Sequence, residues 1–184
     1  MKYIIFILIF FYPLNILASS KQLIKNKLEY TDNISFKFIQ KIGKKTEQGK
    51  CIISYPKKIL CKYDDIYNKI LVSNGKSLVI NSKKIKNYLR YHLKDTPLNL
   101  ILDKKFLLNK LDQVETIEEN DETFSFEIIH KNNLLNIFFD KMSYEIKGWA
   151  TTDTYLNKVE TKLYNVETNI MIDEKIFRIQ NYIN

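Results

Sequence analysis

Gly49-Lys50-Cys51-Ile52-Ile53-Ser54-Tyr55-Pro56-Lys57-Lys58-Ile59-Leu60-Cys61-Lys62-Tyr63 is the stretch on which the fold turns. Two runs rich in β-branched and aromatic residues, 49–55 and 58–63, flank a Pro-Lys break. That pattern predicts a β-hairpin. Cys51 and Cys61 are equidistant from Pro56. A hairpin that turns about Pro56 sets them opposite each other on one face, near the Cβ spacing that a disulfide needs. A register slip of one residue would undo that and leave two separate buried thiols.

Reading outward, the period of two continues. Upstream, 35–41 alternates through Phe36 and Phe38 until Gly43 stops it. Downstream, 69–73 and 77–81 flank Asn74-Gly75-Lys76, and Asn-Gly is a strong hairpin signal. The run 84–93, with Ile85, Tyr88 and Tyr91, reads as a further strand. Strands resume at 114–119, 123–130, 134–140, 145–152, 158–167 and 175–179. Turn residues separate several of them: Asn120-Asp121, Asn132-Asn133 and Lys141-Met142-Ser143. Two segments break the pattern. Residues 21–30 carry Leu23, Ile24 and Leu28 at helical spacing. Residues 96–111 open on Thr96-Pro97, a helix-start pair in which Thr96 caps and Pro97 takes the first helical position. They continue through Leu98, Leu100, Ile101, Leu102, Phe106, Leu107 and Leu108 and are unusually apolar for a connection. The expectation is a mainly β domain of about eleven antiparallel strands, forming one curved sheet or barrel, with two helical interruptions.

The N-terminus reads as an address. Lys2 precedes an apolar run from Tyr3 to Phe11, Pro13 breaks it, and Ala18-Ser19-Ser20 offers small residues for a signal peptidase. A membrane-spanning helix needs about 20 apolar residues, and this run is far shorter. Residues 1–20 are therefore expected to be a cleaved signal peptide, cut after Ala18 or Ser20, and 21–184 a single soluble domain outside the cytoplasm. No cysteine precedes Cys51, so a lipid-modified N-terminal cysteine is not expected.

The chain carries a formal net charge of +8, mostly from lysines spread along its length. Nucleic acid is one partner for such a charge, but no recognition motif is present and none is expected in a secreted protein. An anionic membrane surface fits better, and a Lys- and Asn-rich composition alone would give the same excess.

Catalytic chemistry is hard to place. The two histidines, His92 and His130, fall on predicted strands without a metal-spaced partner. Four glycines leave no phosphate-binding loop, and no Gly-x-Ser-x-Gly elbow occurs. No enzyme, metal or cofactor is expected. By contrast the chain is 45% hydrophobic and 13% aromatic. Phe36, Phe38, Ile53, Tyr55, Ile59 and Tyr63 fall on consistent parities. They could line a cavity between a curved sheet and covering helices, or fill a dry core; periodicity does not decide between these.

Four stretches, in order, resemble the outer-membrane lipoprotein carrier family, the LolA-like periplasmic chaperones. They are Phe36-Lys37-Phe38-Ile39-Gln40 with Gly49 to Pro56 and Tyr63; Ile70-Leu71-Val72-Ser73-Asn74-Gly75-Lys76-Ser77-Leu78; Asp95-Thr96-Pro97-Leu98-Asn99-Leu100-Ile101-Leu102; and Gly148-Trp149-Ala150-Thr151-Thr152-Asp153 with Val166, Glu167, Thr168, Asn169, Asp173 and Phe177. The resemblance implies an unclosed β-barrel covered by short α-helices, with Pro97, Leu98, Ile101 and Leu102 on the lid helix. It implies a periplasmic monomer without a cofactor. Such a carrier receives triacylated lipoproteins from an inner-membrane lipoprotein-releasing ABC transporter and hands them to an outer-membrane acceptor. A carrier of another lipid, or an interaction or sensor domain of the same fold, shares this architecture. One departure matters: Tyr55 stands where the family often has an Arg that ties the lid shut. A tyrosine donates one hydrogen bond and carries no charge, which implies a lid held more by apolar contact.

Overall fold

The computed structural model describes residues 19–85, 87–130, 133–152 and 157–183. The expected leader up to Ala18, Asn132 of one predicted turn and Asp153 of the last resembling stretch lie outside the described residues. The chain runs α1 (Ser20–Glu29), β1 (Asn33–Ile42), β2 (Lys45–Ser54), β3 (Lys58–Tyr63), β4 (Ile70–Asn74), β5 (Ser77–Asn81), β6 (Leu89–His92), α2 (Leu98–Ile101) and α3 (Lys104–Gln113). It continues through β7 (Glu118–Glu119), β8 (Thr123–His130), β9 (Asn133–Asp140), β10 (Ile146–Thr152) and β11 (Lys158–Thr168). The eleven strands form one antiparallel sheet in the order β6-β5-β4-β3-β2-β1-β11-β10-β9-β8-β7. β6 and β7 are its two edges, so the barrel is unclosed.

Alternation along each strand sends one set of side chains to the concave face. Phe36 and Phe38 of β1, Ile53 of β2, Ile59 of β3, Phe126 and Ile128 of β8, Leu135, Ile137 and Phe139 of β9 and Trp149 of β10 meet there. The helices close over them. Ile24 and Leu28 of α1, Leu100 and Ile101 of α2, Leu102 just beyond it, and Leu107 and Leu111 of α3 join the same buried cluster. Gly49 is required where two rings converge. A Cβ there would stand 2.2 Å from the Lys62 carbonyl oxygen and 3.0 Å from the Phe38 ring, and above it Phe38 and Tyr63 meet edge to face at 5.1 Å.

The helical interruption expected over 96–111 consists of two helices. Thr96 is extended and Pro97 is right-handed helical, as the sequence suggested, but the Thr96 hydroxyl donates to the Leu93 carbonyl instead of capping α2. Leu102 ends α2, and the Asp103 side chain accepts from the Phe106 amide to start α3. The runs expected over 84–93 and 114–119 keep only short strands, β6 and β7. The strand expected over 175–179 is absent: Glu174–Phe177 and Ile179–Tyr182 are 3-10 turns, the first opened by Asp173 accepting from the Lys175 amide. This tail packs on the convex face, where Phe177 and Ile179 cover Leu60, Val72 and Val79. Glu174 fastens it to Ser54 and Lys58.

Candidate functional site

The concave face under the helices is the candidate site. Cys51 and Cys61 are direct partners in the β2–β3 ladder and their sulfurs are joined at 1.99 Å. The cross-link lies in the floor of a small chamber of about 60 Å³, lined also by Phe36, Phe38, Ile59, Tyr63, Leu98 and Trp149. That volume holds about two waters. Of the residues expected around a cavity, Phe36, Phe38, Ile59 and Tyr63 line this chamber, while Ile53 and Tyr55 belong to the surrounding apolar cluster without lining it. Of the expected lid residues, Leu98 lines the chamber, Ile101 and Leu102 are buried, and Pro97 caps α2.

Apolar side chains continue out of the chamber along the concave face toward β6. Leu71 opposes Ile80, Ile80 opposes Leu89, and Leu78 opposes Tyr91 across β4, β5 and β6. Leu78 is 5% exposed, whereas Leu89 and Tyr91 are 45% and 46% exposed. A sheet face that passes from sealed to open in this way offers an apolar track leading into the covered interior. The sequence located these strands but not this track. The signal was present: the Asn74-Gly75 turn fixes the register that puts Leu71, Leu78 and Ile80 on the inner face.

The helices are held by polar contacts at their ends. The Lys57 amide donates to the Leu102 carbonyl at 2.9 Å, and the Lys57 ammonium pairs with Asp103 at 3.1 Å. Lys104 donates to the Glu29 and Thr31 carbonyls, and Lys25 pairs with Asp112 at 2.8 Å, so α3 is tied to α1. The Tyr55 hydroxyl makes none of these bonds: it is buried with no hydrogen-bond partner among the described residues, and burial pushes its pKa well above the ordinary phenol value, while its ring lies 5.9 Å from the Lys104 ammonium. The lid therefore keeps polar ties, supplied by Lys57, two residues beyond the position where the family often carries its arginine.

A polar groove of about 460 Å³ adjoins the chamber through Tyr63 and includes Glu47, Tyr67, Lys69 and Lys84. The Lys69 ammonium lies 3.6 Å from the centre of the Tyr63 ring and pairs with Glu47 at 2.5 Å. Burial acts to raise the Glu47 carboxyl, but hydrogen bonds from Lys45 and Lys69 outweigh it and hold the group below the ordinary carboxylate value. Burial lowers Lys69 by more than its bond to Glu47 raises it. His130 packs edge to face on Phe106 at 5.3 Å, and His92 is exposed on β6. Among the described residues no group of His, Cys, Asp and Glu could hold a metal ion, and no helix is long and apolar enough to cross a membrane.

These elements define an open antiparallel half-barrel with helices laid over an apolar concave face. The family described as outer membrane lipoprotein carrier protein LolA matches residues 29–180, and the chain belongs to that family. Two solved structures share the fold. One, described as an outer membrane lipoprotein-sorting protein domain from Vibrio parahaemolyticus, aligns with a TM-score of 0.51 at 10% identity over 89% of this chain and 96% of its own. A DUF1329 family protein from Desulfovibrio piger aligns with a TM-score of 0.50 at 9% identity over 89% and 97%. No curated protein matches the chain in sequence.

Proposed function

We propose that this protein is a periplasmic carrier that shields lipoprotein acyl chains. In this reading it takes triacylated lipoproteins from an inner-membrane ABC transporter and yields them to an outer-membrane acceptor, acting as a monomer without catalysis or a cofactor. Residues 1–20 would direct export and be removed, leaving 21–184. The observation that carries the reading is the apolar track Leu71, Ile80, Leu89 and Tyr91, running from solvent into a core roofed by separable helices, in a chain of the lipoprotein carrier family. Each buried CH₂ left in water costs about 0.8 kcal/mol, so acyl chains need such a shelter to cross an aqueous space.

In this account Phe36, Phe38, Ile53, Tyr55, Ile59 and Tyr63 form the inner wall for the acyl chains, and Pro97, Leu98, Ile101 and Leu102 form part of the lid. The closed chamber is too small for an acyl chain, so loading requires α2 and α3 to swing away from β2 and β3. The Cys51–Cys61 cross-link keeps the wall rigid while they move. Native mass spectrometry of the protein recovered from the periplasm tests this: a mass corresponding to bound triacylated lipoprotein supports it, and bound phospholipid alone contradicts it. The small volume of the closed chamber also favours a second reading, a dry-cored interaction or sensor domain. Failure to bind a fluorescent acyl probe under any lid-loosening condition would select that reading.

A further inference from the structure

The convex face of the sheet carries a row of three lysines. Lys37 of β1 opposes Lys50 of β2, and Lys50 opposes Lys62 of β3. All three are exposed, and none forms an ion pair with another described residue. Like charges directly opposite in an antiparallel sheet repel and cost stability, and this row stacks three in succession. Tyr164 of β11 extends the row beside Lys37, and Ile39 lies in the next row, opposite Lys162. Tyr164 and Ile39 are each 38% exposed. Of the described acids nearby, Glu160 pairs with Lys158 and Lys162, Glu167 sits opposite Ser35, beyond the row, and the single carboxylate Asp64 follows Lys62 by two residues, just past the end of β3, so three lysines face one nearby acid. The C-terminal tail covers the adjoining convex surface at Leu60, Val72 and Val79 but leaves this strip bare.

We infer that the strip formed by Lys37, Lys50, Lys62, Tyr164 and Ile39 is a docking surface for a bilayer bearing anionic headgroups. Four positions across adjacent strands span on the order of 14 Å, wide enough to meet several headgroups at once. Lysines on long flexible stems suit mobile phosphates, because an ammonium acts as a point charge without a fixed bonding geometry. An amphipathic tyrosine and an exposed isoleucine suit the headgroup boundary, where one end of a side chain is dry and the other wet. An acidic protein would more often be met by the planar fork of arginine, and the strip has none. The strip lies on the face opposite the lid, so docking leaves the helices free to open. The inference rests on strand register and charge, and it holds whether or not the concave face carries lipoproteins.

The test is co-sedimentation of the purified protein with vesicles of phosphatidylcholine alone or with one-quarter phosphatidylglycerol, at low and at 0.5 M salt. Each lysine near an anionic surface strengthens partitioning about fivefold, so a Lys37→Gln/Lys50→Gln/Lys62→Gln variant should bind the anionic vesicles on the order of a hundredfold more weakly. Binding should vanish in high salt and on neutral vesicles. The control is Lys83→Gln/Lys94→Gln/Lys105→Gln, which removes the same charge elsewhere and should bind like the unaltered protein. All six side chains are exposed, and circular dichroism confirms that each variant is folded. Equal loss in both triple variants would overturn the inference in favour of net charge alone. Absence of vesicle binding by the unaltered protein would also overturn it, and if the row were then found to capture an acidic polypeptide such as polyglutamate, a protein partner would take the membrane's place. Acyl-probe binding, read separately, stays unchanged in the row variant.

Discussion

The ammonium of Lys57, at the tip of the β2–β3 hairpin, lies 3.1 Å from the carboxylate of Asp103, the residue that caps α3. One carboxylate thus does two jobs: Oδ1 accepts from the Phe106 amide, and Oδ2 holds the hairpin. Opening the lid must break the ion pair and the Lys57-to-Leu102 backbone bond. Loss of a cap costs about 1 kcal/mol, and a partly exposed ion pair contributes about 0.2–1 kcal/mol. Asp103→Ala should therefore destabilise the protein by about 1–2 kcal/mol, and Lys57→Met by less than about 1 kcal/mol. Hydrogen exchange should show faster exchange across 104–113 in both variants, with β1 to β3 unchanged. Unaltered exchange in α3 would show that this pair does not hold the lid.

The Cys51–Cys61 cross-link closes a short loop, with a sequence separation of 10. Loop-closure entropy gives about 2–3 kcal/mol for such a loop. Denaturant unfolding with and without reductant should show that loss, and Cys51→Ala/Cys61→Ala should match the reduced protein. A reduced protein as stable as the oxidised one would remove the cross-link from the account of the wall.

Leu89 and Tyr91 are half-exposed on the inner face, so replacing them should change stability by no more than about 0.5 kcal/mol. Covering each by a ligand gains roughly 1 kcal/mol, half of a fully buried side chain. Leu89→Gln/Tyr91→Gln should weaken binding of a fluorescent acyl probe by roughly tenfold or more while leaving the unfolding midpoint in place. Unchanged probe affinity would mean that the track is not used.

Glu47 is held below its ordinary pKa of 4.5 in the folded state. Its contribution to stability is therefore fully present above that value and is lost as the pH falls through the lowered folded value. Unfolding measured from pH 7 to pH 3 should show stability declining below about 4.5. In Glu47→Gln that part of the decline should be absent. An identical profile in the two proteins would show that Lys45 and Lys69 do not hold the carboxylate.

Much of the fold was legible because particular residues left one choice. The Asn74-Gly75 turn and the alternation through Phe36 and Phe38 fixed strands whose register the structure keeps. The sequence misread segments whose fate depends on distant packing. Residues 175–179 are rich in β-branched and aromatic side chains like a strand, but Asp173 starts a 3-10 turn and Phe177 finds its place on a convex face that no local pattern announces. Residues 96–111 carry apolar residues on both sides of Asp103, so periodicity could not show that Asp103 breaks them into two helices. The site was partly visible. Parity picked out Phe36, Phe38, Ile59 and Tyr63, but Ile53 and Tyr55 lie outside the chamber, and Leu89 and Tyr91 acquire meaning only once β6 is paired to β5. The Lys57–Asp103 tie spans two elements far apart in sequence, and nothing local marks it.

The most direct test of the carrier account is a release assay. Inner-membrane vesicles holding the lipoprotein-releasing ABC transporter and a radiolabelled triacylated lipoprotein are supplied with ATP and this protein, then sedimented. The account predicts labelled lipoprotein in the supernatant, bound one to one to the protein, with release reduced in Leu89→Gln/Tyr91→Gln. Lipoprotein that stays in the pellet at every concentration of the protein would contradict it.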